Sequence, residues 1–138
     1  MYLFDTDTIS NLIRPTPSPA LIRRLAAVPP DRQFTTAITV GELAYGAYRS
    51  NRPEYFLQRL DEQVFGDVTV VPFDADAARI YGRVRVTLEC EGASLNEPDL
   101  RIAAIALARS LTLVTGNTRY FARVPGLSVE NWLVEPPV

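Results

Sequence analysis

Short apolar runs alternate along this chain with longer segments in which apolar residues recur at helical spacing. The first run, Tyr2 to Phe4, stops at Asp5 and is followed by polar residues that favour the start of a helix. Similar runs predict further strands at residues 33–36, 68–71, 111–115 and, at the sheet edge, 127–129.

Helical spacing predicts the remaining elements. Helices are predicted at residues 8–14, 19–27, 39–50, 54–65, from Asp74 or Asp76 to about 90, 100–111 and, as a single turn, 119–121. Short strands that alternate with helices are typical of a parallel sheet covered on both faces. We therefore expect one α/β domain over residues 1–138, with residues 132–138 as an extension on its surface.

Composition supports a globular protein and excludes several kinds of chemistry. Of the 138 residues, 47% are hydrophobic and 22% charged, and the longest uninterrupted apolar run, residues 102–108, is far shorter than the roughly 20 needed to cross a bilayer. The start of the chain lacks the pattern of a signal peptide, and Cys90 has no second cysteine to pair with. These features predict a cytoplasmic protein.

The chain has no histidine, and its 14 basic residues are all arginine. Nucleophilic arrangements that depend on histidine, zinc sites with histidine ligands, and mechanisms that need a catalytic lysine are therefore excluded. Catalysis in this chain would have to use carboxylates.

Three carboxylates occupy comparable places in the predicted fold. Asp5 directly follows a strand, Glu42 lies in the first turn of a helix that follows a strand, and Asp99 lies in the first turn of another helix. Such positions share one edge of a parallel sheet, so the three acids can gather there. Clustered carboxylates repel one another and favour a cation, and oxygen ligands select Mg²⁺ or Mn²⁺. A metal held this way suits phosphodiester hydrolysis.

Each acid also has a purely structural explanation. Glu42 stands three residues after Thr39 and would complete a capping box, and Asp99 would favour the dipole of its helix. Asp7 fits the role of a helix N-cap. These readings stay open beside the metal site.

Four segments together resemble a known family. MYLFDTDTIS, TTAITVGELAYGA, NEPDLRIAAIALARSLTLVTGNTRYF and VPGLSVENW are similar, in order and spacing, to the motifs of PIN-domain proteins of the VapC toxin type. The resemblance implies a three-layer α/β/α sandwich with a mainly parallel central sheet, and a metal-dependent endoribonuclease whose catalytic and metal-binding acids are Asp5, Glu42 and Asp99. It further implies an RNA substrate, Mg²⁺ or Mn²⁺, a homodimer or higher assembly, and a VapB-like antitoxin. The candidates for supporting roles are Thr6, Asp7, Thr115 and Asn117.

The chain departs from the family pattern after its last strand. Many relatives carry a fourth acid shortly after the threonine that corresponds to Thr115, whereas this chain has Asn117, and Tyr120 stands where an acid is common. We therefore expect one metal ion to bind well and a second only loosely. Alternatively, Asn117 serves only the turn, where asparagine tolerates a left-handed backbone.

Two other functions compete with this interpretation. The sequence FDTDT also resembles the nucleophile motif of haloacid-dehalogenase phosphatases, with Asp5 as nucleophile and Thr35 or Thr36 in a second motif. That mechanism needs a pair of acids late in the chain, and only Glu130 and Glu135 follow Asp99. The second alternative is an inactive PIN-like module that only binds a partner.

Overall fold

The computed structural model describes residues 1–136, which contain a five-stranded sheet in the order β3-β2-β1-β4-β5. The strands are β1 (Tyr2–Phe4), β2 (Gln33–Thr36), β3 (Thr69–Val71), β4 (Thr112–Val114) and β5 (Val129–Glu130). All four strand pairs are parallel, so the sheet is parallel throughout, and β1 lies at its centre.

Seven α-helices connect these strands. They are α1 (Thr6–Leu12), α2 (Pro19–Ala26), α3 (Ala37–Arg49), α4 (Pro53–Leu60), α5 (Ala75–Cys90), α6 (Glu97–Ala108) and α7 (Thr118–Phe121). A 3-10 turn, Pro30–Arg32, precedes β2, and a π-helical turn, Asp61–Phe65, continues α4. No helix within residues 1–136 has both the length and the apolar content that a membrane crossing requires.

The alternation of side chains along β1 produces two cores. Leu3 and Phe4 are both fully buried but belong to separate apolar clusters, because neighbouring strand residues face opposite sides of a sheet. Leu3 packs in the cluster formed mainly with α5 and α6, whereas Phe4 packs in the cluster that includes residues of α1, α2 and α4. The predicted three-layer α/β/α sandwich is confirmed.

Most predicted elements lie where the sequence pattern placed them, although the α-helical part of the predicted helix 54–65 ends at Leu60 and the predicted strand 127–129 lies at Val129–Glu130. The other main differences concern helix starts. Helix α1 begins at Thr6, two residues early, because the Asp5 carboxylate accepts a hydrogen bond from the Thr8 N–H at 2.9 Å and caps the helix. The interpretation of Asp7 as the N-cap is therefore wrong, since Asp7 lies in the first turn and is exposed.

Trp132 corrects the prediction of a surface extension at residues 132–138. Its indole is fully buried, with the Tyr2 and Phe4 rings at centroid distances of 4.8 and 5.4 Å. The Arg24 guanidinium lies 4.8 Å from the indole centroid, and the indole N–H donates to Glu130 at 3.1 Å. Trp132 therefore closes one core, whereas residues 134–136 are exposed as predicted, and residues 137 and 138 lie outside the described residues.

Candidate active site

The three candidate acids lie at the edge of the sheet where its strands end. Asp5 follows β1, Glu42 lies in the second turn of α3 beyond β2, and Asp99 lies in the first turn of α6. Helix α6 leads back to the start of β4, so its own start belongs to the same edge as Asp5.

Asp5 is held by hydrogen bonds in a buried position. Its backbone N–H donates to the carbonyl of Val114 at 3.1 Å, which ties the end of β1 to β4. Burial raises the pKa of the Asp5 carboxyl group, and hydrogen bonds from Thr115 and Thr8 act in the opposite direction. Asp5 is thus a desolvated carboxylate at a helix start, with its side chain in a defined orientation.

Glu42 has no part in capping α3. Thr36 is the N-cap, because its hydroxyl accepts a hydrogen bond from the Thr39 N–H at 3.0 Å. The capping box of Thr39 and Glu42 is therefore wrong, and Glu42 lies one turn further along than the sequence predicted. Its carboxylate accepts a short hydrogen bond, 2.6 Å, from the Thr6 hydroxyl at the start of α1. The bond connects α1, which follows β1, to α3, which follows β2.

Asp99 carries the clearest electrostatic signature. Burial and, after it, the negative charges of Asp5 and Glu42 together raise the pKa of its carboxyl group to about 6. Its backbone N–H donates to the side chain of Asn96, the N-cap of α6, at 2.9 Å. Because the charges of Asp5 and Glu42 both act on Asp99, acids from three parts of the chain lie near one another at this edge.

The candidate supporting residues differ in their involvement. Thr6 donates a hydrogen bond to Glu42, and Thr115 lowers the pKa of the Asp5 carboxyl group. Asp7 is exposed, and its charge contributes a small rise to the pKa of Asp99.

Asn117 lies at the exposed start of α7. Its backbone N–H donates to the Thr115 hydroxyl at 3.0 Å, while its side chain makes no hydrogen bond that caps the helix. Its φ of −117° is outside the left-handed region, so the alternative of a left-handed turn residue is wrong.

Tyr120 belongs to the site although the sequence assigned it no role. Its hydroxyl accepts a hydrogen bond from the Asn96 N–H at 2.7 Å, and the Asn96 side chain in turn accepts one from the Asp99 N–H at 2.9 Å. Burial and the charge of Asp99 raise the pKa of the Tyr120 hydroxyl. The contact joins residues 24 positions apart, and the only sequence signal was the position of Tyr120 after the last strand, where relatives often carry an acid.

The donor set fits a hard divalent cation in chemistry and charge. Every candidate ligand is a carboxylate oxygen, and within residues 1–136 no arginine forms an ion pair with Asp5, Glu42 or Asp99. As the side chains stand in this part of the chain, no three acidic or thiol groups form a ready ligand set. Hydrogen bonds hold Asp5 to Thr8 and Glu42 to Thr6 instead.

Comparison with known proteins assigns this arrangement to a family. A model of the PIN domain matches residues 2–127. The chain is 32% identical over 132 residues to Ribonuclease VapC2 of Haemophilus influenzae, with 96% of this chain and 98% of the relative covered. It is 36% identical over 114 residues to the tRNA(fMet)-specific endonuclease VapC of Shigella flexneri, covering 83% and 86% of the two chains.

A solved structure gives the same result. A chain in the crystal structure of VapBC2 from Rickettsia felis, bound to a DNA fragment from its promoter, superposes with a TM-score of 0.87 at 30% identity. The superposition covers 95% of this chain and 98% of that one.

Proposed function

Because the chain belongs to the PIN-domain family, we propose that it acts as a ribonuclease toxin controlled by an antitoxin. It is an RNA-cleaving hydrolase of the VapC type, and a VapB-like antitoxin neutralises it. The proposal extends to its site, its metal ion and its assembly.

We assign metal binding and catalysis to Asp5, Glu42 and Asp99. The observation that carries this assignment is the raised pKa of Asp99, to which Asp5 and Glu42 both contribute, in a set of acids without a cationic partner in residues 1–136. Mg²⁺ or Mn²⁺ bound there would supply a hydroxide nucleophile and stabilise charge on a phosphoryl oxygen. With Asn117 instead of a fourth acid, one ion binds firmly and a second only loosely.

Neighbouring side chains orient each acid before any ion binds. The Thr6 hydroxyl fixes the Glu42 carboxylate, and the Thr8 N–H fixes that of Asp5. Asn96 and Tyr120 hold the start of α6, from which Asp99 projects. Oriented ligands lower the entropic cost of binding an ion or a substrate.

An apolar groove beside the acids is suited to the antitoxin. The groove has a volume of about 430 Å³ and runs from Glu42 along Leu43 and Ile13 to Phe56 and Leu60. An amphipathic segment that places its apolar face there can cover the acidic edge at the same time. We propose that the toxin forms a homodimer or a higher assembly with this partner. Purification after expression from its native operon should yield a stable complex with a small partner, and a toxin that purifies alone would contradict the docking proposal.

Cleavage assays test the catalytic assignment. The wild type should cleave RNA in Mg²⁺ or Mn²⁺ and stop when EDTA is added. Asp5→Asn, Glu42→Gln and Asp99→Asn should each lower the rate by at least 100-fold while circular dichroism shows a folded protein. Asp31→Asn is the matched control, because Asp31 is exposed in the turn before β2, at the opposite edge of the sheet. Full activity in EDTA, or in any of the three variants, would contradict the assignment.

A further inference from the structure

A polar pocket lies beside the start of α6, the helix that carries Asp99. It has a volume of about 380 Å³ and is formed by the loop before α6 together with α7 and the residues next to it. Its lining residues are Ser94, Asn117, Arg119, Tyr120 and Arg123. Tyr120 lines this pocket, and its hydroxyl accepts a hydrogen bond from the N–H of Asn96, whose side chain caps the helix that carries Asp99. A group in the pocket would therefore lie beside the start of α6 and close to Asp99.

The pocket carries positive charge without a compensating acid. No carboxylate lines it, and within residues 1–136 neither Arg119 nor Arg123 forms an ion pair. Arg123 makes only a long hydrogen bond, 3.4 Å, to the carbonyl of Ser94, and its guanidinium stands 5.6 Å from the centroid of the Tyr120 ring. Both guanidinium groups thus keep donors for a ligand.

The chemistry of these residues matches a phosphate group. Guanidinium groups bind phosphate oxygens through paired, charge-assisted hydrogen bonds. The exposed amide of Asn117 and the hydroxyl of Ser94 are neutral donors at the same pocket. An RNA strand that reaches three carboxylates is repelled by them, so cations that hold its neighbouring phosphates offset part of that repulsion.

We propose that this pocket binds an RNA backbone phosphate next to the one that is cleaved, with Arg119 and Arg123 as its ligands. The inference rests on the proposed function and identifies a substrate-positioning subsite within it. Tyr120 links the two sites, because its ring lies beside the Arg123 guanidinium and its hydroxyl bonds to Asn96, the N-cap of the helix that carries Asp99.

Steady-state cleavage of a labelled oligoribonucleotide tests the subsite. The variants are Arg119→Gln, Arg123→Gln and the double substitution. The control is Arg79→Gln, which removes an exposed arginine from the early part of α5. This part of α5 lies away from the pocket, because the ion pair between Asp74 and Arg109 connects the start of α5 to the far end of α6. We expect KM to rise about tenfold in the double variant, with kcat within about twofold of the wild type, and no change in the control.

Binding at several salt concentrations provides the second measurement. Fluorescence anisotropy in EDTA follows RNA binding without cleavage. If the two arginines together hold one phosphate, the slope of log K against log salt should become shallower by about 0.7 in the double variant, the value for one phosphate of a single strand. The control should keep the slope of the wild type.

The outcomes separate this inference from the proposed function. Normal cleavage with an unchanged KM and salt slope in the double variant would overturn the subsite and leave the function intact. If the wild type binds RNA but cleaves none, the function fails, and the anisotropy slopes alone support or overturn the subsite. A loss of antitoxin binding with no loss of RNA binding would also overturn it.

Discussion

At the level of a single residue, the position of Asp99 in the proposed active site lowers the free energy of unfolding at neutral pH. Its carboxyl pKa is raised from 3.8 to about 6, so the folded protein holds this proton more strongly than the unfolded chain does. The contribution of Asp99 to the free energy of unfolding is therefore highest below pH 3.8 and falls as the pH rises to about 6. Above that pH both states have lost the proton, and the penalty stays constant.

Asp99→Asn should stabilise the metal-free protein at pH 7. After allowance for the half-exposed position of Asp99, we expect a gain of about 1 kcal/mol in the free energy of unfolding. Urea unfolding in EDTA at pH 4, 5, 6 and 7 should show that this gain disappears towards pH 4. Added Mg²⁺ should then stabilise the wild type more than the variant.

Asp76→Asn is the matched control, because Asp76 is also an acid in the first turn of a helix but is fully exposed on α5. It should lose a few tenths of a kcal/mol at pH 7 through the helix dipole. An equal loss in Asp99→Asn would mean that Asp99 acts only on the dipole of α6.

At the level of elements, the caps of α1, α3 and α6 explain which parts of the site the sequence could predict. Each of these helices begins earlier than expected, directly after a polar N-cap residue. The three caps are Asp5, Thr36 and Asn96. Several residues near each helix start have side chains that can cap a helix. Which of them becomes the N-cap depends on where the preceding strand or loop ends. The apolar pattern therefore located the elements, whereas the first residue of each helix depended on tertiary structure.

Thr36→Ala should destabilise the protein, because Thr36 is buried and caps α3. The loss should be about 1 kcal/mol in urea unfolding. Glu42→Gln should leave stability unchanged within about 0.5 kcal/mol, because Glu42 lies beyond the cap. If Glu42→Gln causes the larger loss, the capping box has a role after all.

At the acidic edge, too, the sequence pattern locates some residues, whereas the role of others depends on tertiary structure. Asp5, Glu42 and Asp99 could be chosen from the sequence because each lies near a strand end or a helix start, and a parallel sheet brings such positions to one side. Tyr120 could not be assigned a role, because its contact with Asn96 depends on how α7 packs against a distant loop. The pocket with Arg119 and Arg123 depends on the same packing.

On the scale of the whole molecule, Trp132 joins distant parts of the chain. It contacts β1 through Tyr2 and Phe4, and α2 through Arg24. The nearby prolines suggested a surface segment, since the apolar pattern alone does not reveal that one aromatic residue closes a core. The carbonyl of Leu133 also accepts a hydrogen bond from the hydroxyl of Ser18, the N-cap of α2.

Trp132→Ala should therefore reduce the free energy of unfolding by about 3–5 kcal/mol, as expected when a large buried aromatic side chain is removed. Trp132→Phe should lose less, because the ring keeps part of its packing. Tyr48→Ala is the control, since Tyr48 is 69% exposed and its removal should change stability by less than about 0.5 kcal/mol. A loss in Trp132→Ala no larger than in this control would contradict the role of Trp132 in the core.

The central place of β1 also has a consequence for synthesis in the cell. Its two neighbours in the sheet, β2 and β4, begin at Gln33 and Thr112, and its aromatic partner Trp132 follows later still. At a translation rate of about 5–20 residues per second, Phe4 waits roughly 6 to 26 s for Trp132. The core around Phe4 therefore closes only after residue 132 has been added, so the first strand stays without its aromatic partner for most of the time that the chain takes to be made.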